Sequence, residues 1–457
     1  MEQPSSAAHQ RWRARHLHLV GIAGAGMSGL ALLAHALGAE VTGSDLAASP
    51  YLAPLGEAGI NVTIGPHRGE SLPAGSELVY SSAVAPDNPE RVAARERGQP
   101  ELARAVLLAQ VAQLRRVLAV AGTHGKTTTA SMAVAAMLGA GLDPGYLIGG
   151  TLQQTARNAA WGSGDWLVVE ADESDRSLLG LRPAIAVLVN AELDHHASFG
   201  SRLDVDEVFR AYLASSERAV VGGDPRLVAL AGATPVVTVP SPPAEPISAI
   251  HGGAGTRFRW RGHEVALATP GAHNAANAAV ALEASVLAGA EPAVAAASLT
   301  GFRGAARRFE RLGRSAAGAD LYDDYAHHPT EVRATLQAAR TLAPRRLLAV
   351  FQPHLYSRTR ALADAFGVAL AAADVVCVLD VYGARERARD FPGVSGRLVA
   401  EAAADAAAGR SVAWLPSFDD AERFLVGELH AGDVCLFLGA GDIDALGRRL
   451  TTAAAAP

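Results

Sequence analysis

A short apolar run that ends in a glycine-rich turn constrains this chain more than any other feature of its sequence. The run Val117–Ala121 leads into Gly-Thr-His-Gly-Lys-Thr, and a helix-compatible stretch follows from Ala130 to Leu138. This order builds a phosphate cradle, because glycines let backbone N–H groups approach a phosphate and the helix N-terminus adds a favourable dipole. Lys126 can reach the β- and γ-phosphates of a nucleotide, and the Thr127 hydroxyl can ligate Mg²⁺.

The loop is shorter than the full Walker pattern G-x-x-x-x-G-K-[ST], since Val120 stands where that pattern has its first glycine. The alternative is an ordinary glycine-rich turn with an exposed lysine. The strand–loop–helix context favours the phosphate loop.

The composition sets limits on size, location and partners. The chain has 457 residues, of which 49% are hydrophobic, enough for a large core and about three domains. Its net charge of −6 comes without a Lys/Arg-rich block, which argues against nucleic-acid binding. Cys377 and Cys435 lie in apolar, strand-like runs and predict core thiols. Neither a signal peptide nor an apolar run of membrane length is present, so we expect a soluble, cytoplasmic protein that binds no membrane. Its oligomeric state stays open between monomer and homodimer.

Alternating strand and helix patterns predict an α/β fold with three domains, at residues 1–114, 115–308 and 309–457. The first domain opens with a strand at His16–Val20, a glycine-rich turn and an amphipathic helix. A second strand then ends in Asp45. This pattern predicts a Rossmann-like domain.

The second predicted domain contains the phosphate loop and is P-loop ATPase-like. Its continuous apolar runs Asp165–Glu170 and Ala184–Asn190 are typical of strands buried in a parallel sheet. A Pro-rich loop is expected near residues 240–246, and a hairpin at Thr256–Leu267. The third domain begins near Phe309 and is again Rossmann-like. Its predicted strands are Arg346–Phe351, Asp374–Val381 and Asp433–Leu438.

Two polar clusters follow the buried strands of the second domain. Glu170–Asp175 places an acid at the end of a strand, where a Mg²⁺–nucleotide site needs a hard oxygen ligand. The alternative is a solvated acidic turn. Asn190–His196 carries paired histidines, and these more often form a hydrogen-bonded loop than a magnesium site, because Mg²⁺ prefers oxygen ligands.

Further polar motifs lie downstream. Asn274 and Asn277 stand at the start of a long helix, where they can read an adenine edge or cap the helix. Arg307 and Arg308 offer paired guanidinium groups that can reach a phosphate or form a surface pair. The remaining motifs each leave a strand of the third domain: Asp323–Glu331, Phe351–Arg360 and Gly439–Ile443.

Taken in order, these motifs resemble those of the Mur ligases of peptidoglycan synthesis, and the resemblance covers essentially the whole chain. It is carried by the segments Gly24–Gly29, Gly122–Thr129, Glu170–Asp175, Asp194–His196, His273–Asn277, Asp323–Glu331 and Phe351–Thr359. The resemblance implies that the first domain holds a UDP-sugar and the second holds ATP. The third would close over both and admit the amino acid.

The resemblance also implies an activity, which is the ATP-dependent joining of L-alanine to the lactyl carboxylate of UDP-N-acetylmuramate through an acyl phosphate. ATP would be a co-substrate and Mg²⁺, as two ions, the cofactor. Tyr325 and Arg358 would lie near the amino acid. Lys126, His195 and Arg308 are implied as catalytic residues, and Thr127, Glu170 and His195 as metal ligands. The implied ATP contacts are Gly122, Thr123, His124, Gly125, Lys126, Thr127, Thr128, Asn274, Asn277, Arg308 and Asp324. The implied UDP-sugar contacts are Gly24, Ala25, Gly26, Met27, Ser28, Asp45, Ser81 and Ser82.

The implied chemistry leaves two points open. The attacking amine must be unprotonated, so a base is expected nearby, and His327, His328 and His196 are the candidates. Many relatives carry Arg where this chain has Leu355, so a second cation for the amino-acid carboxylate is either missing or supplied by Arg360. The choice between L-alanine and glycine stays open for the same reason. Some other Mur ligases use a carbamylated lysine between the metals, but no lysine is suitably placed after His195, so none is predicted.

Three other functions compete with this interpretation. The first is a recycling ligase that adds a pre-formed peptide to the same sugar nucleotide, and the Phe351–Thr359 motif argues against it. The second is an NAD-dependent oxidoreductase, which the N-terminal glycine-rich turn alone suggests and which leaves the phosphate loop unexplained. The third is a catalytically silent nucleotide-binding regulator. The intact Lys126, Thr127 and Glu170, with His195, argue against the third.

Overall fold

The computed structural model describes residues 6–194, 199–240, 248–249 and 255–451. Several predictions fall outside these residues: the proposed metal ligand His195, the candidate base His196 and most of the Pro-rich stretch after Pro240. Across the described ranges, no helix is both long enough and apolar enough to cross a membrane.

Tertiary contacts divide the chain into two compact units. Unit 1 takes the described residues of 1–192, 203–241 and 277–299, and unit 2 takes those of 193–202, 242–276 and 300–457. The first two large sheets belong to unit 1. The third large sheet and a small antiparallel sheet belong to unit 2.

The first sheet is fully parallel, with strand order β3-β2-β1-β4-β5. Its elements are α1 (Ser6–Arg13), β1 (His16–Val20), α2 (Ala25–Ala36), β2 (Glu40–Asp45), α3 (Leu52–Glu57), β3 (Asn61–Ile64), β4 (Glu77–Tyr80), α4 (Pro89–Glu96), β5 (Glu101–Ala103) and α5 (Arg104–Ala112). The order reverses direction at β1, and in such sheets ligands bind beyond the carboxyl ends of the strands at that point. The predicted Rossmann-like opening is confirmed.

The second sheet surrounds the phosphate loop and has the order β12-β11-β10-β6-β9-β7-β8. Only β8 runs antiparallel to its neighbour. Its elements are β6 (Arg116–Ala121), α6 (Lys126–Gly139), β7 (Gly145–Leu152), β8 (Arg157–Ala160), β9 (Trp166–Glu170), β10 (Ile185–Leu188), α7 (Arg202–Ala214), β11 (Arg218–Gly222), α8 (Pro225–Ala231) and β12 (Val236–Val239). The four residues of β10 are all buried, as the continuous apolar run predicts for a central parallel strand.

A small antiparallel sheet and two helices come next along the chain. The sheet consists of β13 (Ser248–Ala249), β14 (Thr256–Trp260) and β15 (His263–Leu267), so the predicted hairpin is confirmed. The helices are α9 (Ala272–Leu287) and α10 (Pro292–Ser298).

The third sheet has the order β16-β17-β21-β18-β19-β20, with an antiparallel edge strand at β16 and parallel pairs elsewhere. Its elements are β16 (Glu310–Arg314), β17 (Asp320–Asp324), α11 (Pro329–Arg340), β18 (Leu347–Phe351), α12 (Tyr356–Leu370), β19 (Val375–Val378), α13 (Gly396–Ala406), β20 (Ser411–Trp414), α14 (Phe418–Glu428), β21 (Val434–Leu438) and α15 (Ile443–Leu450). Cys377 and Cys435 are buried free thiols in this core, as predicted. The α/β class is therefore confirmed in all three large sheets.

Candidate functional site

The phosphate loop of unit 1 joins the end of β6 to the start of α6. Gly122 and Gly125 adopt φ angles of +141° and +78°, which other residues rarely adopt. The end of β10 braces the loop, because the Asn190 side chain accepts a hydrogen bond from the His124 backbone N–H at 2.9 Å. The Thr123 hydroxyl donates to the Glu192 carbonyl at 3.0 Å. The local sequence therefore folds into the predicted strand–loop–helix cradle.

Lys126 begins α6 with its ammonium group held inside the loop. It donates to the carbonyl of Gly122 at 2.6 Å and forms an ion pair with Glu173 at 3.0 Å. Burial alone would lower the pKa of Lys126, but the carboxylates of Glu173, Asp172 and Glu170 outweigh it, so this pKa is raised. The ammonium group therefore stays charged at every physiological pH, as phosphate binding requires.

Lys126 is also the only lysine in the 457-residue sequence, in which all other Lys/Arg positions are arginine. Lysine is a compact point charge on a flexible stem, whereas arginine is a planar fork. The single lysine of the chain therefore stands where a phosphate loop needs a point charge. This signal lies in the composition of the whole sequence and not in any single motif.

An oxygen-lined position lies beside Lys126, at the carboxyl ends of the adjacent strands β6 and β9. The Thr127 hydroxyl donates to one oxygen of the Glu170 carboxylate at 3.0 Å. The other carboxylate oxygen accepts the Gly149 backbone N–H at 2.6 Å. A hydroxyl and a carboxylate within contact form the hard oxygen donor set that Mg²⁺ prefers, so these residues fit that ion.

The first glycine-rich turn of unit 1 leads into α2, whose N-cap is Gly24. Asp45, at the end of β2, accepts the Ala23 backbone N–H at 2.9 Å and so fixes the turn. Met27 and Ser28 are buried, and the Ser28 hydroxyl donates to the Ala25 carbonyl at 3.1 Å. Of the predicted contacts in this turn, Met27 and Ser28 can therefore offer a ligand only their backbone.

Ser81 and Ser82 follow β4 in the same sheet. The Ser81 hydroxyl accepts the Ala83 backbone N–H at 3.2 Å, and Ser82 is exposed. Sequence reasoning missed Arg104, whose guanidinium lies about 3.0 Å from where a Cβ at Gly26 would stand. Arg104 pairs with Asp175 at 2.6 Å, so a cation already lies against the predicted diphosphate turn.

The two asparagines of α9 have different surroundings. The Asn274 amide donates to the Pro270 carbonyl at 2.7 Å, which ties it to the chain just before the helix. The Asn277 side chain lies against the phosphate loop, since a Cβ at Gly125 would stand 2.8 Å from its Oδ1. The structure thus brings Asn277 onto the phosphate loop within unit 1, while Asn274 belongs to unit 2.

Arg307 and Arg308, the arginine pair of unit 2, also differ in the contacts that they make. Arg307 is held by Asp323 at 3.0 Å and by the carbonyls of Gly439 and Gly441. Burial raises the pKa of Asp323 to about 7, although the Arg307 charge opposes the rise. The Arg308 guanidinium lies over the Tyr325 ring at 5.1 Å. The Arg307 guanidinium also lies over this ring, at 5.2 Å, but its ion pair and carbonyl contacts tie it to the fold and give it a structural role.

Asp324, at the end of β17, uses both of its carboxylate oxygens within the fold. One accepts the Phe309 backbone N–H at 2.8 Å and the other accepts that of Ala326 at 2.8 Å. Burial raises the pKa of this carboxyl, while the charge of Arg308 lowers it. A ribose hydroxyl bound there must share oxygens that already hold two backbone segments.

A group of four side chains, named here the histidine cluster, lies at the carboxyl ends of β17 and β18 in unit 2. It consists of His327, His354, Arg358 and Asp194. The Arg358 guanidinium pairs with both Asp194 oxygens at 3.1 and 3.2 Å, and both side chains are buried. Burial, opposed by Glu331, lowers the pKa of His327 to about 4. Burial together with the charges of His327 and Arg358 lowers that of His354 to about 3. Both imidazoles are therefore neutral at pH 7.

The described base candidates differ in the nitrogen that they offer. His327 Nδ1 lies 3.0 Å from the Tyr325 carbonyl, which can only accept, so Nδ1 carries the proton and Nε2 has the lone pair. His328 caps α11, where its Nδ1 accepts the Thr330 backbone N–H at 3.3 Å. Of the two, His327 offers the ring nitrogen that can accept a proton.

Arg360 does not lie in the histidine cluster. Its guanidinium stands over the Phe391 ring at 5.4 Å, and the residue is exposed, whereas Arg358 is buried. Two residues along a helix differ by about 200° in direction, which places the two side chains on different faces. The expectation that Arg360 supplies a second cation for the amino acid is therefore not supported.

Family comparisons match nearly the whole chain. The model described as "Mur ligase family, catalytic domain" matches residues 16–116. "Mur ligase middle domain" matches residues 120–285, and "Mur ligase, glutamate ligase domain" matches residues 307–441. The three matched regions correspond in order to the three large sheets.

Similar proteins match over nearly their full length. The UDP-N-acetylmuramate–L-alanine ligase of Paenarthrobacter aurescens is 42% identical over 94% of this chain and 95% of its own length. The crystal structure of the UDP-N-acetylmuramate-alanine ligase of Thermotoga maritima matches with a TM-score of 0.81 and 27% identity, covering 95% of this chain and 98% of that one. A murein peptide ligase from Psychrobacter arcticus matches with a TM-score of 0.70 and 26% identity, over 96% of this chain and 98% of that one.

Proposed function

Because the chain belongs to the Mur ligase family, we propose that it joins L-alanine to the lactyl carboxylate of UDP-N-acetylmuramate at the expense of ATP. The products are UDP-N-acetylmuramoyl-L-alanine, ADP and phosphate. The reaction takes place in the cytoplasm and contributes to peptidoglycan synthesis. The family resemblance drawn from the sequence motifs is confirmed by these comparisons.

The observation that carries this proposal is the geometry of the phosphate loop. A single ammonium group, Lys126, is buried among Glu170, Asp172 and Glu173, and the Thr127 hydroxyl contacts Glu170. This arrangement supports phosphoryl transfer from ATP, because positive charge and oxygen donors stand at the start of α6 where the phosphates bind. Hydride transfer by an NAD-dependent oxidoreductase requires neither of these features.

The first step makes the carboxylate reactive. An oxygen of the muramyl carboxylate attacks the γ-phosphorus, the bond to the β-phosphate oxygen breaks, and ADP leaves with an acyl phosphate formed. Lys126 binds the phosphates and offsets the negative charge that spreads over them during transfer. Mg²⁺ held by Thr127 and Glu170 would supply Lewis-acid neutralisation of the phosphate oxygens. His195 is proposed as a further metal ligand and lies outside the described residues.

The second step forms the amide. The unprotonated amine attacks the acyl carbon, the tetrahedral intermediate collapses, and phosphate leaves. His327 Nε2 accepts the proton that the amine loses, since its Nδ1–H is held by the Tyr325 carbonyl. Tyr325, beside Arg308, and Arg358 border the amino acid in this proposal.

The remaining site assignments follow the three matched regions. The glycine-rich turn fixed by Asp45 binds the UDP diphosphate through backbone N–H groups at the start of α2. Asn277 contacts adenine from its position against the phosphate loop. Domain bounds of 1–114, 115–308 and 309–457 assign the UDP-sugar, ATP and amino acid to successive segments.

The decisive test measures phosphate release from ATP with Mg²⁺ and UDP-N-acetylmuramate. L-alanine, glycine, L-serine and a tripeptide are compared as the amine. We expect strong stimulation by L-alanine that is lost in Lys126→Ala. Stimulation by the tripeptide alone would instead make the protein a recycling ligase, and no stimulation by any amine would refute the ligase proposal.

A second readout uses the single lysine. An acyl-phosphate analogue of ATP transfers its acyl group to amines near the phosphates. We expect one labelled internal peptide, that of Lys126, and protection of this peptide by excess ATP. Labelling without protection would mean that ATP does not bind at the phosphate loop.

A further inference from the structure

The segment after β19 is fixed against the start of α12 in unit 2. The Tyr382 backbone N–H donates to the Pro353 carbonyl at 2.8 Å, and the Leu355 N–H donates back to the Tyr382 carbonyl at 2.9 Å. The Tyr382 ring stacks on His354 with centroids 5.8 Å apart. The segment therefore begins in direct contact with the histidine cluster.

The same segment is pinned again a few residues later. The Glu386 carboxylate accepts the Ser357 backbone N–H at 2.9 Å and the Ser357 hydroxyl at 2.5 Å. Arg385 stands immediately before this anchor and is exposed. Since both flanks are held, the Arg385 side chain is confined to the neighbourhood of the histidine cluster.

Arg385 is an uncommitted positive charge beside His354. Besides the neutral imidazole of His327, the groups that act on His354 are the charged Arg358, Arg385 and Asp194. Arg358 is already neutralised by its two contacts with Asp194. Within the part of the chain that the structure describes, no carboxylate forms an ion pair with Arg385, so the cluster carries one surplus cation.

We propose that the Arg385 guanidinium binds the carboxylate of the incoming amino acid. This inference rests on the proposed ligase function and deepens it. An α-amino acid reacts through its amine and keeps its carboxylate, which needs a cationic partner close to the reacting amine. Leu355 is apolar, Arg360 lies over Phe391, and Arg358 already holds a carboxylate of the protein.

Arginine suits this role because its planar guanidinium can donate two parallel hydrogen bonds to one carboxylate. The neighbouring neutral imidazoles do not compete for the anion. The arrangement therefore selects a free α-carboxylate, whereas an amine whose carboxylate is blocked loses this contact.

The test compares Arg385→Ala and Arg385→Lys with the matched control Arg389→Ala. Arg389 is exposed on the same segment, and its one described ion pair is a distant one to Asp390 at 3.9 Å. In Arg385→Ala we expect KM for L-alanine to rise roughly 10–100-fold, the usual effect of losing hydrogen bonds between charged groups. KM for ATP and kcat should stay close to wild type. Arg385→Lys should recover part of the loss.

A second substrate isolates carboxylate recognition. The wild-type enzyme should prefer L-alanine to L-alaninamide, and Arg385→Ala should lose most of this preference. An unchanged KM in Arg385→Ala, or an equal rise in Arg389→Ala, would overturn this inference while leaving the ligase function intact. A wild-type enzyme that responds to no single amino acid would overturn both.

Discussion

The phosphate loop of unit 1 and the histidine cluster of unit 2 carry surplus charges of opposite sign. Around Lys126, one ammonium group faces the three carboxylates of Glu170, Asp172 and Glu173. In the histidine cluster, Arg358 and Asp194 cancel, the imidazoles are neutral, and Arg385 adds a positive charge. The first region has surplus negative charge and the second has surplus positive charge.

The difference indicates which ligand each region is built for. Surplus carboxylate beside a lysine suits a metal ion that binds together with the phosphates, because the metal ion neutralises the carboxylate charge that the lysine leaves uncompensated. A surplus guanidinium among neutral imidazoles suits a small carboxylate. Both regions lie at the carboxyl ends of parallel strands, so the same architecture supports both and the side chains decide the chemistry.

Removing Arg358 should have the largest effect, because it would break the balance of the histidine cluster. Arg358→Ala leaves the buried Asp194 carboxylate without the guanidinium group that contacts both of its oxygens. We expect a loss of about 3–5 kcal/mol in the free energy of unfolding, measured by urea titration. The double variant Arg358→Ala/Asp194→Ala should be less destabilised than the single one, and equal losses would mean that the Asp194 carboxylate costs no stability when Arg358 is absent.

Removing Lys126 should have the next largest effect, and it acts on catalysis. Lys126→Ala takes away the one ammonium group of the phosphate loop, so ATP turnover should fall roughly 100–1000-fold. Because the variant also removes the ammonium partner of the buried Glu173 carboxylate, Lys126→Ala/Glu173→Gln serves as the matched control. Recovery of turnover in the double variant would show that the defect is a misfolded loop and not a lost phosphate contact.

Glu170→Gln should raise the Mg²⁺ requirement of the phosphate loop. The substitution keeps the shape of the side chain but removes the charge that meets the Thr127 hydroxyl. We expect the Mg²⁺ concentration at half-maximal ATP turnover to rise roughly 10–100-fold, as for other changes around metal ligands. An unchanged Mg²⁺ titration would place the metal elsewhere. Glu217→Gln, at an exposed position just before β11, is the control.

Acid should weaken the histidine cluster more than the phosphate loop. The pKa of His327 falls from about 6.5 in the unfolded chain to about 4 in the fold, so between these values the unfolded chain binds a proton that the folded one does not. Stability present above pH 6.5 is therefore lost as pH falls, by about 1.4 kcal/mol per pH unit for each such histidine.

His327→Gln should remove one histidine's share of this acid dependence, measured by urea unfolding between pH 4 and pH 7. His35→Gln, at an exposed position of α2, is the matched control and should leave the slope unchanged. An equal slope in wild type and His327→Gln would show that His327 titrates normally in the fold.

Much of the fold could be predicted because its signals are local. Apolar runs such as Ile185–Leu188 gave the strands, and their ends were within a few residues of those observed. The hairpin at Thr256–Leu267 and the helix that starts at Pro329 follow from turn spacing and from proline at the first helical turn. These features need only neighbours along the chain.

The candidate site was predicted less evenly. Lys126, Thr127 and Glu170 follow strands that are adjacent in one sheet, and the structure brings them together. Arg104 and Arg385 were missed because neither belongs to a recognisable motif. A position after a buried strand was a usable signal for Arg385, since the other third-domain motifs share it.

The sequence by itself determined the phosphate loop, the order of strands and helices, and the family to which the chain belongs. These depend on contiguous residues whose backbone preferences and spacing are set locally. Only the tertiary structure decided that Arg358 forms an ion pair with Asp194, 164 positions away. It also decided that no carboxylate of the described residues forms an ion pair with Arg385. The reason is that parallel sheets join strands out of sequence order, so the charge next to a functional group comes from a segment that no local pattern identifies.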